Sequence, residues 1–365
     1  MRYQVSSVTI DSPIAFDAYQ EFATNEVSPV EVYLSFDNSL QSIDTSTFEK
    51  HGELAITRKS NGCWVFSFPI IAEHKNFLIS SPDYANFLVP AYCEHTLLLT
   101  RFALCCKLLF HQTLSLHAAC VEKDGEAVAF TGVSGLGKST RARAWVEGLG
   151  AEWISGDRPA VRIEKDGSTA CGVPWDGKEQ IFRNVEVPLK AILEVRRSDS
   201  NYIRKLTPDQ ARQLLMKQTF VPMWDTDAAV MAMANVRKII SKTPVYRVFC
   251  GPTQDDAKAI YDILYHHPEL IREEQKDMKV KEGFVLRNVV DEHIVMPTGD
   301  NIAKFEGAVV LNDVAAFVFE LLKNPTSKED VLAAILNEFE VDEETAKNDL
   351  DTLIEKLTEL NIIEA

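Results

Sequence analysis

Residues 132–139 read GVSGLGKS, a complete G-x-x-x-x-G-K-[ST] pattern. Each position suits the chemistry of holding phosphate. Gly132, Gly135 and Gly137 let the chain turn sharply and bring its N–H groups up to phosphate oxygens. Lys138 is placed to reach the outer phosphates, and the Ser139 hydroxyl to ligate Mg²⁺. Ser134, Leu136 and Thr140 complete the stretch expected to wrap a bound nucleotide. The apolar run EAVAFTG before the pattern reads as a strand, and STRARAWVEGLG after it reads as a helix. That helix adds the partial positive charge of its N-terminus at the same spot.

Phosphoryl transfer also needs a carboxylate for the metal and, for a hydroxyl acceptor, a base. Asp157 ends the predicted strand EWISGD (152–157), 19 residues after Lys138, a spacing that suits a neighbouring strand of one sheet. His117 lies on the strand before the loop, where a histidine serves either packing or proton transfer. The Gly/Pro-rich run CGVPWDGKEQIF (171–182) reads as a site loop or as a hairpin turn around a buried Trp175. If it is a site loop, Asp176 or Glu179 supplies a second carboxylate for Mg²⁺, and Lys178 meets phosphate. Arg183, Arg196 and Arg197 serve either transferring phosphate charge or surface solvation.

The elements that must position these groups are readable around them. LSLHAACV (114–121), a KDG turn and EAVAFTG form a hairpin that feeds the loop. Gly148 and Gly150 close the following helix. Alternating strands and helices around such a loop imply an α/β core over 113–268. Upstream, 1–112 is expected to be an accessory α+β region, with strands at 30–36 and 63–70 and a helix over 91–112. The charged stretch 269–283 reads as a linker. In 284–365 a pair of short strands precedes three helices, the first two capped by Asn312 or Asp313 and by Ser327. A hairpin plus three helices is a small winged-helix layout.

The 365 residues carry 46% hydrophobic and 25% charged side chains, ample for well-formed cores. A net charge of −16 argues against nonspecific binding to nucleic acid or anionic membrane. The N-terminal MRYQVSSVTIDSP has no long apolar run and does not read as a signal peptide. LLLTRFALCCKLLF (97–110) is too short and too charged to span a bilayer. The seven cysteines show no C-x-x-C or His/Cys ligand spacing, so buried thiols in the cytoplasm are expected.

The run LHAACVEKDGEAVAFTGVSGLGKST, followed by WISGD, resembles the HPr kinase/phosphorylase superfamily. There a histidine lies on a strand shortly before a G-x-S-G-x-G-K-[ST] loop and an aspartate-rich strand end follows. PLKAILEV (188–195) and PVYRVFCGP (244–252) extend the likeness over roughly 113–265. The resemblance implies ATP and Mg²⁺ as cofactors and His117, Lys138 and Asp157 as catalytic residues, with Ser139, Asp157 and Glu179 as metal ligands. It also implies a homo-oligomer. The family's paired aspartates are Asp157-Arg158 here, so one carboxylate is missing and HPr itself is not the expected substrate. The tail, 280–365, is similar to PqqD-like peptide-recognition domains, which bind the leader of a ribosomally made precursor peptide as an added strand. That implies a hairpin at 284–297 and a partner helix at 343–360 holding the leader, with other peptide-modifying enzymes as further partners. The expected protein is an HPr kinase-like α/β phosphate-loop kinase, phosphorylating a hydroxyl side chain of a precursor peptide captured by its tail. A small-molecule kinase with a docking tail, or a nucleotide-gated carrier without catalysis, would use the same parts.

Overall fold

Apolar runs without alternation are what a strand covered on both faces requires, and Glu126–Thr131 is such a strand. Ala127 and Ala129 point to one core, Val128 and Phe130 to another. The computed structural model describes the chain except residues 41–46, 52–53, 69–76, 91–95, 176–180, 182, 274–277, 290–291, 303–307, 325 and 365. The chain divides into two compact units, Met1–Glu273 and Glu274–Ala365.

In the first unit, Glu126–Thr131 lies within a ten-stranded sheet, between Ala118–Lys123, antiparallel to it, and Glu186–Arg197, parallel to it. Glu152–Ser155 lies beyond Ala118–Lys123, and Val245–Cys250 runs parallel to Glu186–Arg197 on its other side. Helices Lys138–Leu149 and Gln254–Tyr265 cover one face, packing Trp145 and Ile260 on Phe130, Leu193 and Val248. Helices Pro208–Gln218 and Thr226–Lys242 cover the other, packing Leu214 and Val236 on Ala129 and Ile192. Glu186–Arg197 is long enough to join a second group of strands through its first residues, which pair with Gly167–Cys171.

An eight-stranded sheet occupies the N-terminal part, running from Arg2–Val5 at one edge to Glu49–His51 at the other. The expected strands appear as Val32–Phe36 and Trp64–Ser67, and the expected helix as Thr96–Phe110. Leu99, Ala103 and Cys106 recur at helical spacing and bury against Phe66, Leu78 and Phe87 of the sheet. Ala160, Cys171, Val173 and Trp175 complete that same core. The expected division at residue 112 therefore falls inside one continuous core, because the apolar face of the helix has to be covered from both sides of it.

The boundary between the two units falls within 269–283, the stretch expected to be a linker. Arg272–Glu273 adds to the first unit by pairing with Tyr202–Lys205, and Lys279–Val280 pairs with Ile363–Glu364 in the second. The second unit holds a three-stranded sheet, ordered Phe284–Val289, Glu292–Pro297, Val309–Leu311, and helices Asp313–Leu321, Lys328–Glu338 and Glu343–Glu359. Asn312, Ser327 and Asp342 cap the three helices, each accepting a backbone N–H. Among the described residues no helix is long and apolar enough to cross a membrane.

Candidate functional site

Gly132, Gly135 and Gly137 all adopt positive φ, at 133°, 82° and 89°. The loop they shape joins the end of Glu126–Thr131 to the start of Lys138–Leu149, as the flanking residues predict. Ser134 and Thr140 are exposed at its surface, and Ser139 is half-buried at the first turn of the helix. Arg141 secures the loop from beneath, its Nη1 donating to the Leu136 carbonyl at 3.1 Å and its Nη2 to the Cys250 carbonyl at 2.9 Å. Nothing in the sequence marks Arg141, which is 6% exposed. On the outer side Arg197 Nη2 donates to the Gly135 carbonyl at 2.9 Å. Lys138 curls over the loop, its Nζ donating to the Gly132 carbonyl at 3.0 Å. Burial holds this ammonium below its usual range; Asp157 opposes that shift and Arg158 adds to it.

The strand expected at 114–121 breaks into Thr113–Ser115 and Ala118–Lys123. His117 sits at the break, because its N–H goes to the Gln218 carbonyl at 2.7 Å instead of joining the sheet. The registers Ala118↔Thr131 and Cys120↔Ser155 put this break beside the carboxyl ends of both neighbouring strands. Asp157 lies two residues past Glu152–Ser155, whose neighbour is Ala118–Lys123 and not the loop strand itself. His117 Nε2 and Asp157 Oδ1 are 3.8 Å apart, both partly open to solvent. Burial, with Lys138 next, lowers the His117 pKa, so the ring is neutral near pH 7 and able to accept a proton. Gln218, 8% exposed, stands beside this ring, and its side-chain hydrogen bond opposes the lowering.

Trp175 is buried, and its Nε1 donates to the Arg158 carbonyl at 3.2 Å, bracing the residue after Asp157. Asp176, Lys178 and Glu179 lie outside the described residues. Arg183 pairs with Glu122 and Glu152, and Arg196 with Glu194, so these arginines have partners in the chain. Among the described residues no group of three His, Cys, Asp or Glu side chains could hold a metal by itself. The Ser139 hydroxyl and Asp157 carboxylate are hard oxygen donors, the kind that suits Mg²⁺ sharing its shell with water and phosphate.

The second unit offers a groove of about 590 Å³ between Val309–Leu311 and Glu343–Glu359, lined by Val310, Val314, Phe339, Leu353 and Lys356. Among the described residues Val309–Leu311 is an edge strand, paired with Glu292–Pro297 alone, and Val310 is 55% exposed. This third strand extends the sheet of the expected 284–297 hairpin and lines the groove together with Leu353 and Lys356 of the last helix. Its three residues, VVL, are too short a run to announce themselves.

Residues 292–363 match the family model of Coenzyme PQQ synthesis protein D (PqqD). The C-terminal unit carries a PqqD domain. Solved structures similar to parts of the chain include "TbiB1 in Complex with the TbiA(beta) Leader Peptide", 22% identical, covering 24% of this chain and 95% of that one, TM-score 0.21. Another is "Lasso peptide synthetase B1 complexed with the leader peptide", 19% identical over 24% of this chain and 99% of that one, TM-score 0.21. The Hpr(Ser) kinase/phosphatase from Coxiella burnetii is 13% identical over 43% of this chain and 96% of that one, TM-score 0.26. No curated protein matches the chain. The groove and its edge strand belong to the PqqD domain, whereas the glycine loop and Asp157 precede it.

Proposed function

We propose that this protein is an ATP-dependent kinase that phosphorylates a hydroxyl side chain of a precursor peptide whose leader is held by the PqqD domain. The observation that carries the reading is the meeting of Lys138, His117 and Asp157 at the carboxyl end of the strand from which the glycine loop springs. The loop amides and Lys138 would hold the triphosphate, and Ser139 and Asp157 would hold Mg²⁺. Bound there, ATP–Mg²⁺ supplies the phosphoryl group and neutralises its charge. Asp157 takes the proton of the acceptor hydroxyl, and neutral His117 stands 3.8 Å away to share it. Asp157 is the one carboxylate at this place among the described residues, and Asp176 and Glu179, which lie outside them, are the candidates for a second metal ligand. The leader would add a strand to Val309–Leu311 with its apolar side chains in the adjoining groove. Tethering then raises the acceptor's local concentration into the millimolar range, about that of short flexible linkers.

The test is intact mass spectrometry of a candidate precursor peptide incubated with ATP, Mg²⁺ and the protein or its Lys138→Ala variant. A gain of one phosphoryl unit with the wild type only is expected. A peptide that binds together with ATP yet gains no mass overturns the kinase reading in favour of a nucleotide-gated carrier.

A further inference from the structure

Lys138 is accounted for by phosphate, and Asp157 with His117 by the proton. Two further cations at the same place are left without a role. Arg158 follows Asp157 directly and has a left-handed backbone, φ 56°. It is pinned there by its N–H on the Ala118 carbonyl at 3.2 Å and by Trp175 on its own carbonyl. A non-glycine residue held so is a feature the surroundings enforce. Arg101 arrives from the other side, on helix Thr96–Phe110. Its guanidinium lies 5.0 Å from the Phe102 ring centroid. Phe102 packs on Phe220 at 5.8 Å, and the Phe220 N–H donates to the Ser115 carbonyl, two residues before His117.

Burial holds the Arg101 pKa down; Arg158 pushes it the same way and Asp157 the opposite way, so the three form one electrostatic group. Among the described residues neither Arg101 nor Arg158 has an ion-pair or side-chain hydrogen-bond partner. The Cys105 thiol and Tyr19 phenol near Arg101 are pushed up by burial and stay uncharged. Among the described residues three cations, Arg101, Lys138 and Arg158, thus share one carboxylate, in a chain whose net charge is −16. Half-buried positive charge without a counter-ion is costly, and an anionic ligand removes the cost. The nucleotide phosphates are served by the loop, Lys138 and, on the far flank, Arg197. Arg101 and Arg158 stand on the Asp157 side, where the acceptor hydroxyl must come.

We propose that Arg101 and Arg158 bind a carboxylate of the acceptor, so that the hydroxyl offered to Asp157 belongs to a residue flanked by acidic groups. This rests on the kinase reading and gives the N-terminal region a role, since its sheet seats the helix that supplies Arg101. A second aspartate at 158 would repel such an acceptor, and the arginine in its place attracts it.

The test is fluorescence anisotropy with the full-length protein, Mg²⁺ and a non-hydrolysable ATP analogue at low salt. The probes are labelled peptides Glu-Glu-Ser-Glu-Glu and Gln-Gln-Ser-Gln-Gln. The acidic probe is expected to bind about tenfold tighter than the neutral one, the scale of a charge-assisted bidentate contact. Arg101→Gln and Arg158→Gln should each abolish most of that preference, while analogue affinity stays within about twofold, which also reports an intact fold. Arg101→Lys and Arg158→Lys should restore part of it. The proposal is overturned if the wild type shows no acidic preference, or if the Gln variants weaken the analogue and keep the preference. Should a Gln variant lose its thermal transition, the Lys variant at that position is judged by the same two criteria. Phosphate transfer is read separately: acidic preference without transfer sinks the kinase reading and leaves the anion site standing.

Discussion

A methyl group added at Gly137 should damage the glycine loop far more than the same group at Gly135. Both residues have positive φ, 89° and 82°, which costs an alanine about 1–2 kcal/mol. The alanine Cβ at 135 would meet nothing within 4 Å. At 137 it would fall against Arg141 Nη1, the atom that donates to the Leu136 carbonyl. The guanidinium has no room to yield, being 6% exposed and also tied to the Cys250 carbonyl. Losing one hydrogen bond from a charged donor adds about 1.5–3 kcal/mol. Gly137→Ala is therefore expected to cost about 3–5 kcal/mol and Gly135→Ala about 1–2 kcal/mol. For a unit of this size those losses lower Tm by roughly 6–20 °C and 2–8 °C respectively, at about 2–4 °C per kcal/mol. Differential scanning calorimetry of both variants, with ATP affinity measured by titration calorimetry, checks the pair. Equal melting temperatures for the two variants would refute the reasoning, because only the Arg141 contact separates them.

The pH dependence has a sign that follows from His117. Its pKa is lowered on folding, mainly by burial, so the unfolded chain binds the proton more readily and acid destabilises the folded state. The contribution is fully present above about pH 6.5, the ordinary histidine value, and is lost as pH falls through the folded value. Denaturant unfolding between pH 7 and 5 should therefore show a shallower loss for His117→Asn than for the wild type, and parallel curves would contradict it. Glu194, 5% exposed, accepts from Arg247 at 2.8 Å and from Arg196 at 2.7 Å, one strand over from Thr131. Glu194→Ala should cost about 1.5–3 kcal/mol by removing a buried, charged hydrogen-bond acceptor, read by the same unfolding assay. In the PqqD domain, Val310→Glu alters an exposed edge position and should leave Tm within about 1 °C, as ordinary surface substitutions do. It should weaken binding of a precursor leader at least about tenfold by placing a charge in the apolar groove. Unchanged leader affinity would remove the groove from the peptide site.

The shape of the glycine loop is legible in the chain alone. Its glycine spacing, the apolar strand before it and the helix after it are local properties, and they appear in the structure with the expected φ signs. Helix ends in the PqqD domain are equally legible, since Asn312 and Ser327 cap by contacts within three residues. Folding settles what depends on distant partners. The break at His117 arises from the Gln218 carbonyl, about a hundred residues away. Asp157 reaches the site across an intervening strand, a strand order that spacing along the chain does not encode. No neighbouring residue marks Arg141 or Arg101; packing places one beneath the loop and the other in the electrostatic group around Asp157. The short strand Val309–Leu311 exists because Glu292–Pro297 offers it a ladder. Local chemistry is written in neighbouring residues, while a site assembled at strand ends depends on which strands pair, and that is fixed only when the whole core closes.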